Sequence, residues 1–306
     1  MIDSIYGAVA LGLLYALMAL GVYITFRILD FPDLTVDGSF ATGGGIAAIM
    51  ISTGYHPALA TLAAFGGGLL AGVCTGLLHT KGKVNGLLAG ILMMIALHSI
   101  NIRIMGRPNV SIVNMDTLIS SIVKPVGLFI LVMGIAVLIV KLLLDAFLHT
   151  DLGLALRATG DNERMIRSFG ANTDGTKILG VSLSNGLVAL SGALIAQQGG
   201  FADVTMGVGM IVIGLASVII GEAIFGARTV FMATLAVVIG AIIYRIVIAL
   251  RVELFEASDL KLVTALIVIV ALVVPYVRRV MRQRSVAKKR SEELLATIAP
   301  GKGGKA

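Results

Sequence analysis

The segment ATGDNERMIRSFGANTDGTKILG, Ala158–Gly180, gathers Asp161, Glu163 and Asp174 with Arg164, Arg167 and Lys177 between apolar runs. Across all 306 residues, 58% are hydrophobic and 13% charged. A soluble globular domain carries roughly 45–50% apolar and about 25% charged residues. So few charges cannot coat a water-facing surface. The apolar runs are therefore membrane spans, and the charged segment is a link that water reaches. The expected fold class is an all-α polytopic transmembrane helical bundle.

A span needs about 20 apolar residues. The sequence offers runs near 5–27, 36–52, 58–79, 84–104, 125–148, 174–198, 204–221, 229–250 and 259–277, about nine spans with a range of 8–10. The runs are continuous rather than alternating, which favours helical spans over a membrane β-barrel. The 37 glycines suit close helix packing in lipid, and the lack of Trp leaves the tyrosines to serve any interfacial belt. The first run lacks a basic segment before its apolar core, so it reads as a span and not a cleaved leader.

Lys and Arg in short loops set orientation. Lys81 and Lys83, then Arg157, Arg164, Arg167 and Lys177, then Arg228, fall on one side when the spans alternate. The basic tail, Arg278 to Arg290, falls on that side too. This side is expected to be cytoplasmic, with the C-terminus. Segments 105–124 and 251–258 fall on the other. Residues 1–277 read as the membrane domain, with its main cytoplasmic loop at 150–175, and 278–306 as a basic tail expected to be partly disordered. The net charge of +7 comes largely from that tail and does not indicate nucleic-acid binding.

Within the charged segment, Asp161 is a candidate N-cap, followed by Asn162 and Glu163. Met165, Ile166 and Phe169 share one helical face, flanked by Arg164 and Arg167. Gly170 is the expected stop, and Asn172 can cap the next helix. The result is a two-turn amphipathic helix between spans. Three roles fit it: a membrane-surface helix, a loop helix packed on its own protein, or a knob docking in a groove on a soluble partner.

LDFPDLTVDGSFATGGG, Leu29–Gly45, carries Asp30, Asp33 and Asp37 with Pro32 between two apolar segments. It is either a polar turn with capping acids or a helix broken at membrane depth and lining a pathway. Other polar groups in spans are Asn101, Arg103, Asn185, Gln197, Gln198, Ser217, Glu222, Tyr244 and Arg245. The sequence has no Walker A loop, no metal-ligand spacing among its four histidines and no HExxH or GxSxG motif, so no catalytic residue and no metal site are expected. Its one cysteine, Cys74, allows no intrachain disulfide.

ALRATGDNERMIRSFGANTDGTKILGVSLSNGLVALSGAL, Ala155–Leu194, resembles the central segment of permease subunits of ABC importers of the branched-chain amino acid and ribose type. Further matching stretches are GLLYALMALGVYITFRILDFPDLTVDGSFATGGG, GLLHTKGKVNGLLAGILMMIALHSINIRIMGRPN, IVIGLASVIIGEAIFGARTVFMATLAVVIGAIIYR and SDLKLVTALIVIVALVVP, so the likeness covers most of the chain. The closest likeness is to a branch linked to uptake of aromatic amino acids such as tryptophan or tyrosine.

The resemblance implies a bacterial inner-membrane importer working by alternating access. It implies a second permease copy, two ATPase subunits that carry ATP and Mg²⁺, and an extracytoplasmic binding protein or lipoprotein. By position, Asp161, Asn162, Glu163, Arg164, Met165, Ile166, Arg167, Phe169 and Gly170 would form the cytoplasmic coupling helix that docks on the ATPase. Asp33, Thr35, Asp37, Ser39, Asn101 and Ser217 would be the candidate pathway residues. The segment departs from the EAA-type loop of other ABC importers: Arg164 and Met165 follow Glu163, and Gly170 stands seven residues on. The alternative is an ion-coupled transporter or channel, which would need ionisable groups deep in its spans.

Overall fold

The computed structural model describes residues 2–120 and 126–252, together with 269 and 273. Its helices are α1 (Ile2–Tyr23), α2 (Thr35–Ser52), α3 (Pro57–Thr80), α4 (Gly86–Met105), α5 (Val126–His149), α6 (Asp151–Ser168), α7 (Thr173–Gly199), α8 (Met210–Phe225) and α9 (Val230–Val252). Two three-residue strands, β1 (Asn109–Ser111) and β2 (Phe201–Asp203), pair antiparallel and close the end opposite α6. The ninth expected span, apart from Ile269 and Val273, together with the segment 251–258 beyond Val252 and the basic tail, lies outside the described residues.

Six helices among the described residues are long and apolar enough to cross a membrane: α1 with its π-helical extension to Ile28, α3, α4, α5, α7 and α9. The expected count of about nine spans is therefore not reached by this criterion, and two of the shortfalls have physical causes. Helix α2 carries Thr35, Asp37, Ser39, Thr42 and consecutive glycines, and all of these are buried in protein, so lipid never meets their polarity. Helix α8 has only 16 residues, roughly 24 Å of rise. The expected run 204–221 begins too early. Residues 204–209 form turns that dip into the bundle, and the helix starts at Met210 after Gly209 in the left-handed region, φ +86°.

Helices α1 and α7 form the centre. The α1 span is 83% buried, whereas the α4 and α5 spans are each 28% buried and turn apolar side chains such as Leu92, Leu131 and Leu143 outward. Lipid tails are as apolar as leucine, so burial alone gives helices little reason to associate in a membrane, and close backbone approach takes over. A side chain at Gly43 of α2 would run into the Ala189 carbonyl of α7, and one at Gly192 of α7 into the Phe40 carbonyl of α2. The two glycines bring these helices together reciprocally. Gly68 and Gly72 of α3 meet α7 backbone in the same way.

Candidate functional site

The charged link forms α6 and the start of α7. Thr150 caps α6, its Oγ1 accepting from the Gly153 N–H at 3.3 Å. The helix breaks at Asn162, with φ −157° and ψ 88°, and a short second helix follows over 163–168. Asn162 caps that second helix: its Oδ1 accepts from Met165 N–H at 3.0 Å. This corrects the sequence assignment of the cap to Asp161, because the break falls one residue later. Gly170 follows the helix at φ +83°, and Asn172 caps α7 through Gly175 N–H at 3.0 Å.

The short helix is fastened by its polar side. Glu163 pairs with Lys177 of α7 at 2.8 Å and with Arg167 at 2.9 Å. Arg167 also donates to Thr173 Oγ1 at 3.0 Å and reaches Asp174 at 3.4 Å, while Asp174 meets Lys81 beyond α3 at 3.4 Å. The Lys177 hydrogen bond, reinforced by the charges of Lys177 and Arg167, holds the Glu163 carboxyl below the usual carboxylate range despite partial burial. The apolar side faces out: Met165 is 47% and Phe169 78% exposed, with Ile166 half-buried and Arg164 exposed beside them. A loop helix folded only for its own protein would turn this face inward.

Of the six candidate pathway residues, four share one neighbourhood. Asn185 of α7 donates Nδ2 to Asp33 Oδ2 and accepts at Oδ1 from Ser39 Oγ, both at 2.7 Å. Asp33 Oδ1 accepts from Thr35 N–H at 2.9 Å, and the Thr35 hydroxyl meets that of Thr75 in α3 at 2.8 Å. Asn101 of α4 donates to the Gly38 carbonyl at 3.3 Å. Asp37 faces another way. Its two oxygens accept from Gly209 N–H at 2.8 Å and Ile211 N–H at 2.9 Å, so a carboxylate in α2 closes the N-terminus of α8 inside the bundle. The chain between Leu29 and Thr35 is thus a helix break that buries Phe31 and Asp33 and leaves Asp30 and Pro32 exposed. Ser217 lies apart, donating to the Ile213 carbonyl in α8.

The sequence reading passed over a buried ion pair. Lys141 and Asp145 of α5, 1% and 8% exposed, meet at 2.5 Å. Thr234 of α9 donates to Asp145 Oδ1 at 2.7 Å, and Lys141 Nζ stands 3.1 Å from the centre of the Phe231 ring. The legible signal was the pair K-L-L-L-D at i, i+4 inside an apolar run, a spacing that neutralises both charges on one helical face. Two span-end charges also meet groups of the same chain: Glu222 pairs with Arg27 at 2.9 Å, and the Arg245 guanidinium lies 3.7 Å from the Tyr15 ring centre.

Comparisons with known proteins agree with this architecture. The chain is 44% identical to the tyrosine transport system permease protein of Clostridioides difficile (strain R20291) over 269 residues, 87% of this chain and 90% of that protein. It is 31% identical to the ribose import permease protein RbsC of Escherichia coli (strain K12) over 180 residues, 57% of this chain and 54% of that one. A solved inward-facing conformation of a metal-chelate type ABC transporter shares the fold, with a TM-score of 0.50 at 17% identity over 90% of this chain and 85% of that chain. The family model for the branched-chain amino acid transport system permease component matches residues 4–274, and the chain, a multi-pass membrane protein, belongs to that family of ABC transporter permease subunits.

Proposed function

We propose that this chain is the membrane subunit of an ATP-driven importer of a small solute, an amino acid, with an aromatic one such as tyrosine as the favoured cargo. Two copies form the pathway. Two separate ATPase subunits bind ATP and Mg²⁺, and an extracytoplasmic binding protein or lipoprotein delivers cargo. The end bearing α6 faces the cytoplasm of a bacterial inner membrane, in keeping with its Lys and Arg content.

One observation carries the reading. The short helix at 163–168 is fastened to α7 by Glu163 and Arg167 and leaves Met165 and Phe169 exposed at its free face. A rigid knob with an apolar face and adjacent arginines suits a groove on a soluble partner. Movement of that partner would pass through the Glu163–Lys177 link into α7, which holds Asp33 through Asn185. The Asp33 cluster is then the framework on which the pathway walls turn.

The test is co-expression with a partner ATPase. Cargo uptake into proteoliposomes should need that ATPase and ATP. Met165→Asp with Phe169→Asp should abolish capture of the ATPase while leaving the monodisperse peak of the permease unchanged. Normal capture by this variant would overturn the docking role. Uptake driven by an ion gradient in ATP-free vesicles would overturn the importer reading.

A further inference from the structure

A second polar concavity lies on the same end of the molecule, on the other side of the α6 break. It is a half-open cleft of about 280 Å³ between the end of α1, the first part of α6 and the α8–α9 turn. Arg27, Arg157 and Arg228 line it, facing the carboxylates of Asp161 and Glu222. Arg27 and Glu222 pair with each other at 2.9 Å. Among the described residues, Arg157 and Arg228 have no carboxylate within ion-pair distance. Tyr23, 6% exposed, also lines the cleft, and its phenol has no hydrogen-bond partner among the described residues.

Lining groups of both signs select the ligand chemistry. A bare phosphate or other anion would meet two carboxylates along with the guanidinium groups. A cation would meet three arginines. A compact zwitterion satisfies both sets: a carboxylate accepts the forked donors of Arg157 and Arg228, and an ammonium reaches Asp161. The volume admits one small molecule, and Tyr23 with Val230 and Ala233 offers its body a less polar wall.

We propose that this cleft binds a free α-amino acid on the cytoplasmic face and that binding restrains transport. The proposal rests on the reading that the cargo is an amino acid and that this end is cytoplasmic. Arg157 and Asp161 precede the break at Asn162, whereas Glu222 and Arg228 belong to α8 and the turn after it. A bound zwitterion therefore ties the base of the docking helix to the α8–α9 turn. That tie opposes relative motion of the two elements and lowers import when cytoplasmic amino acid accumulates.

The test uses the purified full chain in nanodiscs and calorimetric titration with L-tyrosine and a panel of other L-amino acids. Tyramine, which lacks the carboxylate, and 3-(4-hydroxyphenyl)propionate, which lacks the ammonium, serve as ligands missing one charge, and inorganic phosphate as the bare anion. Expected is binding of at least one amino acid, with each one-charge analogue of tyrosine weaker by about tenfold or more. The double variant Arg157→Gln, Arg228→Gln should lose that binding while keeping ATPase capture. In the assembled importer, amino acid placed on the ATPase side should slow uptake by the wild type and not by the variant. The proposal is overturned if no amino acid binds, if phosphate binds as well as the amino acid, or if the double variant binds normally. An importer that moves amino acids without this binding overturns the regulatory site alone. Amino-acid binding in the cleft of a chain whose assembled importer moves no amino acid overturns the cargo reading alone.

Discussion

Glu163 and Lys177 meet at 2.8 Å across the turn between α6 and α7, and this pair orients the short helix with its apolar face outward. The Glu163 carboxyl is held below its ordinary value, chiefly by the Lys177 hydrogen bond. A carboxyl with a depressed folded-state pKa stabilises the fold above its unfolded value, near 4.5, and that contribution is lost as pH falls through the lower folded value. Amide exchange at 163–169, corrected for intrinsic rates, should be slow near neutrality and accelerate in acid below pH 4.5. Glu163→Gln should give the fast exchange at all pH values. Equal protection in both proteins at neutral pH would show that the pair does not anchor the helix.

Asp37 fixes where α8 begins. Replacing it with Ala leaves the Gly209 and Ile211 N–H groups without their acceptor inside the bundle. The expected loss is about 1–3 kcal/mol per buried donor left unpaired. Asp37→Asn keeps one acceptor and should lose less. Thermal unfolding in detergent, followed by circular dichroism, measures the order wild type, Asn, Ala.

Gly43 and Gly134 make a matched pair of tests. A Cβ at Gly43 collides with the Ala189 backbone, whereas one at Gly134 meets nothing within 4 Å. Gly43→Ala should destabilise by about 1–3 kcal/mol through overpacking. Gly134→Ala should be neutral or stabilise by up to about 1 kcal/mol through helix propensity. A similar unfolding midpoint for the two variants would refute close α2–α7 packing.

Lys141 and Asp145 should behave as a unit. Lys141→Met or Asp145→Leu alone leaves one buried charge and is expected to cost about 3–5 kcal/mol. The double replacement removes both and should recover most of that loss. A double-mutant cycle on thermal stability reads the coupling directly. Additive losses would mean that each charge has another partner.

Apolar run length placed the helices, because a span must bury its backbone bonds within itself wherever it sits. Gly170 and Asn172 were legible as punctuation because φ above zero and side-chain capping are local requirements. The start of α8 was misplaced because apolar composition registers neither the Asp203 side chain that turns the chain at Thr205 nor the Asp37 carboxylate, 172 positions before Gly209, that closes the helix start. Asp161 was read as the cap because a sequence lists acceptable caps without saying where the helix will break.

The class of solvent, the mainly helical architecture, the charged end and a discrete helix between two spans are all written in the chain's local composition, whereas the short β1–β2 pairing is not. These follow from hydropathy, steric preference and the cost of an unsatisfied backbone in lipid, all local properties of the chain. Contacts between distant segments settle that Asp33 belongs to Asn185, that Asp37 belongs to α8, and that Phe169 points away from the protein while Glu163 points in. Each of these depends on which helices come within a glycine's width of one another, and long-range approach is not written in any single stretch of sequence.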